Sequence, residues 1–215
     1  MRELALTVLL VTSISPSWAS AQDVDEPAVE AALLKKFKNI KRKPGLLTII
    51  THKGPVTFKD NPVDGEGAEN SFLVRSYALK SGRIDYLVIT HGYEGAGYTL
   101  VNGATGNRID LPGEPELSPS ERYYVSSLID LESGEYPNDI KIFRSSDFGV
   151  VFEKNYDDPP QPGEIHMGPD QVRWLSDTSV NVVEKSIIGV KYDKPSFHPT
   201  IVKLVNGEWI QKDTK

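Results

Sequence analysis

Cysteine is absent from all 215 residues. That absence excludes disulfides, thiolate metal sites, a cysteine nucleophile and a lipid-modified amino-terminal cysteine. A chain of this length can be held together by its apolar core alone. Long apolar runs are missing too: Leu4–Val11 falls well short of the ~20 residues that span a bilayer, and no later run is longer and as apolar. An integral membrane protein is therefore not expected.

Catalytic and metal motifs are equally scarce. The four histidines, His52, His91, His166 and His198, form neither an H-E-x-x-H nor a His-x-His pair, so no metal site is expected. No serine lies in a G-x-S-x-G elbow or an S-x-x-K motif. The acidic stretches Asp64–Glu69 and Asp157-Asp158 lack the spacing of a calcium loop. The glycines of His91–Gly97 resemble a phosphate loop in composition only, without the G-x-G-x-x-G order or the P-loop lysine. No cofactor is expected. A net charge of -6 repels phosphate and argues against nucleic-acid binding.

What is present begins with a signal. Arg2, the apolar Leu4–Val11 and the small-x-small triplet Ala19-Ser20-Ala21 have the order of a secretory leader cleaved before Gln22. The expected division is a signal peptide over 1–21, a basic helix and linker over 22–45, and a β-rich domain over 46–215. The absence of an Asn-x-Ser/Thr site fits a periplasmic or secreted bacterial protein.

Asp25-Glu26-Pro27 reads as a helix start, and Val29, Leu33, Phe37 and Ile40 recur as one apolar stripe. The spacing predicts an amphipathic helix stopped by Lys43-Pro44-Gly45. Eight bases and no acid fall between Ala31 and Lys59, so a basic arm precedes an acidic body.

Beyond Leu46 the pattern is β. Apolar and β-branched runs alternate with turns at Lys53-Gly54-Pro55, Ser81-Gly82, Asn102–Gly106, Leu117–Ser120, Leu175–Thr178 and Asn206-Gly207. Asn155–Gly168, with three prolines, reads as a long loop, and Ile187–Tyr192 as a strand separate from Val180–Val183. About a dozen short strands and one helix define an all-β domain.

A strand-turn grammar recurs: Tyr98–Gly106 has a counterpart in Ile140–Gly149, and Glu116–Pro119 before Tyr123 in Arg173–Asp177 before Val180. Leu100-Val101-Asn102, Thr105-Gly106, Leu111, Pro115 and Leu117-Ser118-Pro119-Ser120 together resemble the repeat of TolB-like and WD40-like β-propellers. In that repeat a polar-x-x-Thr-Gly turn is followed by Ser-Pro-Asp-Gly; here Ser120-Glu121 replaces Asp-Gly. The resemblance covers Tyr98–Val183 and implies propeller-like antiparallel β-meanders. The mature length holds three to four blades of about 40–50 residues, which implies an incomplete propeller or a small sandwich. Such turns carry no chemistry, so family function does not transfer.

Aromatic residues supply the candidate binding positions. His91, Tyr93, Glu94 and Tyr98 surround the glycine loop, and Trp174 precedes a turn. Tyr123 and Tyr124 point to opposite faces of a strand, so one ring is expected to be exposed unless both sheet faces are covered. The balance leans away from catalysis and toward an exported binding protein, with another envelope or secreted protein as partner and oligomerisation left open. The alternatives are a hydrolase whose residues converge from loops, and an inhibitor or immunity-type protein whose acidic surface covers a basic partner.

Overall fold

The computed structural model describes residues 25–63, 67–93, 95–131, 138–156, 165–188 and 195–214. The leader and its cleavage site, Glu94 and the Asp157-Asp158 pair lie outside the described residues.

Helix α1 spans Glu26–Lys36. Asp25 caps it by accepting from Ala28 N at 3.0 Å, Pro27 occupies the first turn, and Lys35 and Lys36 sit at the carboxyl end, where the helix dipole favours cations. The helix ends earlier than the stripe predicts. Phe37 is already extended, and Ile40–Lys43 forms strand β1. The physical reason is the partner strand: Ile40 pairs with Ile49 and Lys43 with Leu46, so Pro44-Gly45 closes a hairpin, with Gly45 at φ 70°.

β1 joins β2 (Leu46–Thr51) and β3 (Gly54–Lys59) in a three-stranded sheet. Three four-stranded sheets follow. The second contains β4 (Asn70–Ala78), β5 (Ile84–His91), β6 (Ala96–Asn102) and β7 (Arg108–Leu111). The third contains β8 (Glu116–Leu117), β9 (Tyr123–Leu128), β10 (Asp139–Arg144) and β11 (Val150–Asn155). The fourth contains β12 (Ile165–Ser176), β13 (Ser179–Ile188), β14 (Ser196–Val205) and β15 (Glu208–Asp213). Every pairing is antiparallel and links strands adjacent in sequence, so each sheet is a meander. Among the described residues the protein is thus all-β with a single short helix and no closed barrel.

Two strand limits differ from expectation. β12 begins at Ile165, inside the stretch read as loop, and β13 runs unbroken from Ser179 to Ile188. Pairing with β13 over its whole length, with bulges at Pro169/Gln171 and Trp174/Ser176, carries Pro169 into the ladder. The Asn206-Gly207 hairpin forms as expected, both residues at positive φ.

Three apolar cores join successive sheets. Leu47, Ile49 and Phe58 of the first sheet meet Leu73, Tyr86 and Val88 of the second. Leu87 and Leu100 of the second meet Tyr124, Phe143 and Phe148 beside the third, and Val125 and Ile142 of the third meet Val180, Val202 and Trp209 of the fourth. The inner sheets are therefore covered on both faces, and Asp85–Ile89 of β5 is buried without a break. The covered case of the expectation for Tyr123 and Tyr124 therefore applies. Tyr124 stacks on Phe143 with centroids 5.3 Å apart in the second core, and Tyr123 packs edge-on to Trp209 at 5.4 Å in the third.

The helix covers an open sheet edge. Glu30, buried, accepts from Leu73 N of edge strand β4 at 2.9 Å, and from Arg42 Nη2 and Nε at 2.7 and 2.9 Å. Arg42 also reaches Asp60 at 3.3 Å and donates to the carbonyl of Ser71. One carboxylate thus fixes helix, first sheet and second sheet together, while satisfying an edge amide.

Candidate functional site

The meander topology sends every second turn to the same end of its sheet. One end carries the turn containing Tyr93. His91 Nε2 lies 2.7 Å from Glu26 Oε2 at the start of α1, and its ring meets Phe72 edge-on at 6.2 Å. Tyr93 stands 64% exposed on a turn closed by Gly92 N donating to Gly95 O at 2.6 Å. Tyr98 is half-buried against the second core; burial, followed by the nearby carboxylates of Glu114 and Glu26, pushes its hydroxyl above the ordinary tyrosine range. Glu26 therefore lies near both His91 and Tyr98, whereas Tyr93 projects away and Glu94 is outside the described residues.

Trp174 belongs elsewhere. It stacks on Tyr123 at 6.5 Å, meets Trp209 edge-on at 6.0 Å, and donates from Nε1 to Glu116 O at 3.0 Å. Its half-buried ring ties the third sheet to the fourth.

The opposite end is built from tight turns hydrogen-bonded to one another. Ser145 is the central post of this rim: its N donates to Arg122 O at 2.9 Å, its Oγ donates to Glu121 O at 2.6 Å, and its carbonyl accepts from Arg83 Nη2 at 2.7 Å. Asn102 Nδ2 reaches Ser146 O at 3.3 Å, and Ser120 N donates to Asp177 Oδ1 at 2.5 Å. The turns of the second, third and fourth sheets thereby form one connected rim.

Beneath that rim lies Asp85, fully buried. Arg83 holds it bidentately through Nε and Nη2 at 2.9 and 2.8 Å, Tyr124 Oη donates at 3.0 Å, and Gly103 N at 3.3 Å. Gly103 is required by close approach: a Cβ there would lie 1.9 Å from Ile84 O. Burial raises the Asp85 carboxyl above its ordinary value, with the Arg83, Tyr124 and Gly103 hydrogen bonds pulling the other way.

A cleft of about 500 Å³ opens at the rim between the second and third sheets, lined by Lys80, Arg83, Ser120, Arg122, Arg144 and Ser145. A second, of about 590 Å³, lies between the first and second sheets against Asn39, His52 and Tyr86. The two share Ser81 and Arg83. Both volumes lie within the range of small-molecule sites.

Sequence reasoning passed over these arginines because it read the turns as connectors. The available signal was an arginine within two residues of a serine in three of them: Ser81-Gly82-Arg83, Ser120-Glu121-Arg122 and Arg144-Ser145-Ser146. Nothing in their chain spacing says that they meet.

Two other polar groupings bear on chemistry. Glu184, buried, accepts through Oε1 from Lys154 Nζ at 2.7 Å, Tyr156 Oη at 2.6 Å and Gln211 Nε2 at 2.8 Å. Ser186 Oγ lies 3.3 Å from His198 Nε2 on the neighbouring strand. The carboxylate that faces His198 in register is Glu184, already committed to its three donors, so among the described residues no free acid is seen to orient the imidazole. Among the described residues no three His, Asp or Glu side chains converge as metal ligands, and no helix is long and apolar enough to cross a membrane. The chain matches no family model, no curated protein and no solved structure.

Proposed function

We propose that this chain is an exported, non-catalytic binding protein that seats its ligand or partner at the tight-turn end of a propeller-like β-stack. The leader-like segment ahead of Gln22 supports export to the periplasm or outside the cell. The sequential four-stranded meanders fit the propeller-like grammar of Tyr98–Val183.

The observation that carries the reading is the rim itself. Ser145 pins turns from two sheets around a cleft whose walls expose arginine guanidinium groups and serines. Loops held rigidly by a scaffold suit recognition, because little conformational entropy is lost on binding.

A cleft-filling Ser120→Trp variant and a Tyr93→Ala variant of the mature chain separate the two ends. In capture from an envelope extract, we expect Ser120→Trp to lose the bound species and Tyr93→Ala to retain it. The reverse pattern would move the recognition surface to the β5–β6 turn.

A further inference from the structure

We propose that the cleft between the second and third sheets is an oxyanion seat, which takes a carboxylate or phosphate group of a small ligand through Arg122 and the open edge of Arg83. The inference rests on the binding reading above and specifies its chemistry.

Lys80, Arg83, Arg122 and Arg144 all line the cleft. Three have carboxylates of their own. Arg83 is held by Asp85, Arg144 by both oxygens of Asp147 at 3.0 and 3.1 Å, and Lys80 Nζ lies 3.9 Å from Glu121 Oε1. Arg122 has none among the described residues: its Nε donates to Ser120 Oγ at 3.2 Å and its guanidinium lies 5.9 Å from the Tyr123 ring centroid. The spare positive charge of the cleft is therefore Arg122.

Arg83 adds directed donors. Its Nε and Nη2 are used by Asp85 and Ser145 O, and among the described residues nothing accepts from Nη1. The group is only 16% exposed, pinned on two sides, and shared by both clefts. A guanidinium fixed in this way is pre-organised, so binding an acceptor costs it little rotamer freedom. Of the acids at the rim, Asp177 holds its Oδ1 on Ser120 N at 2.5 Å. Glu121 turns its Oε2 to Lys80 N at 2.5 Å, and Asp85 is fully buried beneath the rim. Ser81, Ser120 and Ser146 line the same space, and a serine hydroxyl can donate to a bound acceptor. An oxyanion would give Arg122 the charged partner that it lacks among the described residues, which a neutral or cationic group would not.

The experiment follows the arginine Nε–Hε signals of the mature protein by NMR during titration with inorganic phosphate or citrate, at constant ionic strength. Saturable shifts at Arg83 and Arg122 are expected. The anion that saturates at the lower concentration identifies phosphate or carboxylate as the better fit. Arg122→Ala should weaken binding at least tenfold and Arg122→Lys less, while Arg173→Ala on the fourth sheet should leave it unchanged. Because Arg122 is exposed, its replacement leaves the folded state intact. Shifts that do not saturate, that chloride reproduces, or that persist in Arg122→Ala overturn the oxyanion seat. If they do so while Ser120→Trp still abolishes capture of the natural species, the binding reading stands and only its chemistry falls. If Ser120→Trp also retains that species, both are overturned.

Discussion

Asp85 and Glu184 are two buried carboxylates in neighbouring interfaces of the same stack, each gripped by a cation and a tyrosine hydroxyl, and yet their acidities move in opposite directions. Asp85 has no exposed surface, and burial outweighs its bonds from Arg83, Tyr124 and Gly103, so its carboxyl is raised. Burial would raise Glu184 too, but hydrogen bonds from Lys154, Tyr156 and Gln211 outweigh it and the carboxyl is lowered. The same partner chemistry gives opposite outcomes because desolvation and pairing are large opposing effects with a small difference. The tyrosines record this as well: burial first, then the adjacent carboxylate, push both Tyr124 and Tyr156 well above the usual phenol range.

The largest break in this comparison should come from Arg83→Ala, which strands a fully buried carboxylate. A loss of about 3–5 kcal/mol in urea-unfolding stability is expected. A double Arg83→Met, Asp85→Leu variant should recover much of it, since an apolar pair of similar size removes the stranded charge.

Lys154→Met should cost less, about 1–2 kcal/mol by the same measurement, because Tyr156 and Gln211 remain on Glu184 and Lys154 is partly solvated. A loss as large as that of Arg83→Ala would show that the two sites do not differ in redundancy.

The acid limb of stability separates the pair further. Glu184, with a depressed folded value, contributes stability that is complete above the ordinary glutamate value of 4.5 and is lost as the pH falls through the folded value. Asp85 has a raised folded value, so its ionised form costs stability; that cost is full above the folded value and falls away as the pH drops from there through the ordinary aspartate value of 3.8. The stability difference between wild type and Glu184→Gln should therefore shrink on acidification. That between wild type and Asp85→Asn should shift in favour of wild type. Parallel curves for the two variants would contradict the opposite shifts.

The smallest effect is expected at Tyr93→Ala. The exposed ring touches none of the three cores, so the unfolding midpoint should correspond to a change within about 0.5 kcal/mol.

Most strands were legible because turn chemistry and alternation are local. Asn206-Gly207, Ser81-Gly82 and the Asn102–Gly106 turn all fall where the residues place them. The Asn102 turn shows why: its Oδ1 accepts from Ala104 N and Thr105 N, each at 3.0 Å, a bond pattern contained within four residues. The end of α1 was not legible. The apolar spacing through Ile40 suits a helix, and only the pairing of Ile40 with Ile49 draws it into a strand. The candidate cleft was less legible still, since it depends on which turns share an end and on Ser145 bridging them.

The sequence by itself determined the class of element, the turns, the lack of thiol chemistry and the helix cap, because each depends on residues within a few positions of one another. The tertiary structure decided which side chains face which core. It placed Tyr123 and Tyr124 in separate interfaces, turned Glu30 into the cover of a strand edge, and brought Arg83, Arg122 and Arg144 to one rim. The physical reason is that stacking fixes the faces and ends of whole sheets at once, and that relation has no counterpart in the spacing of residues along the chain.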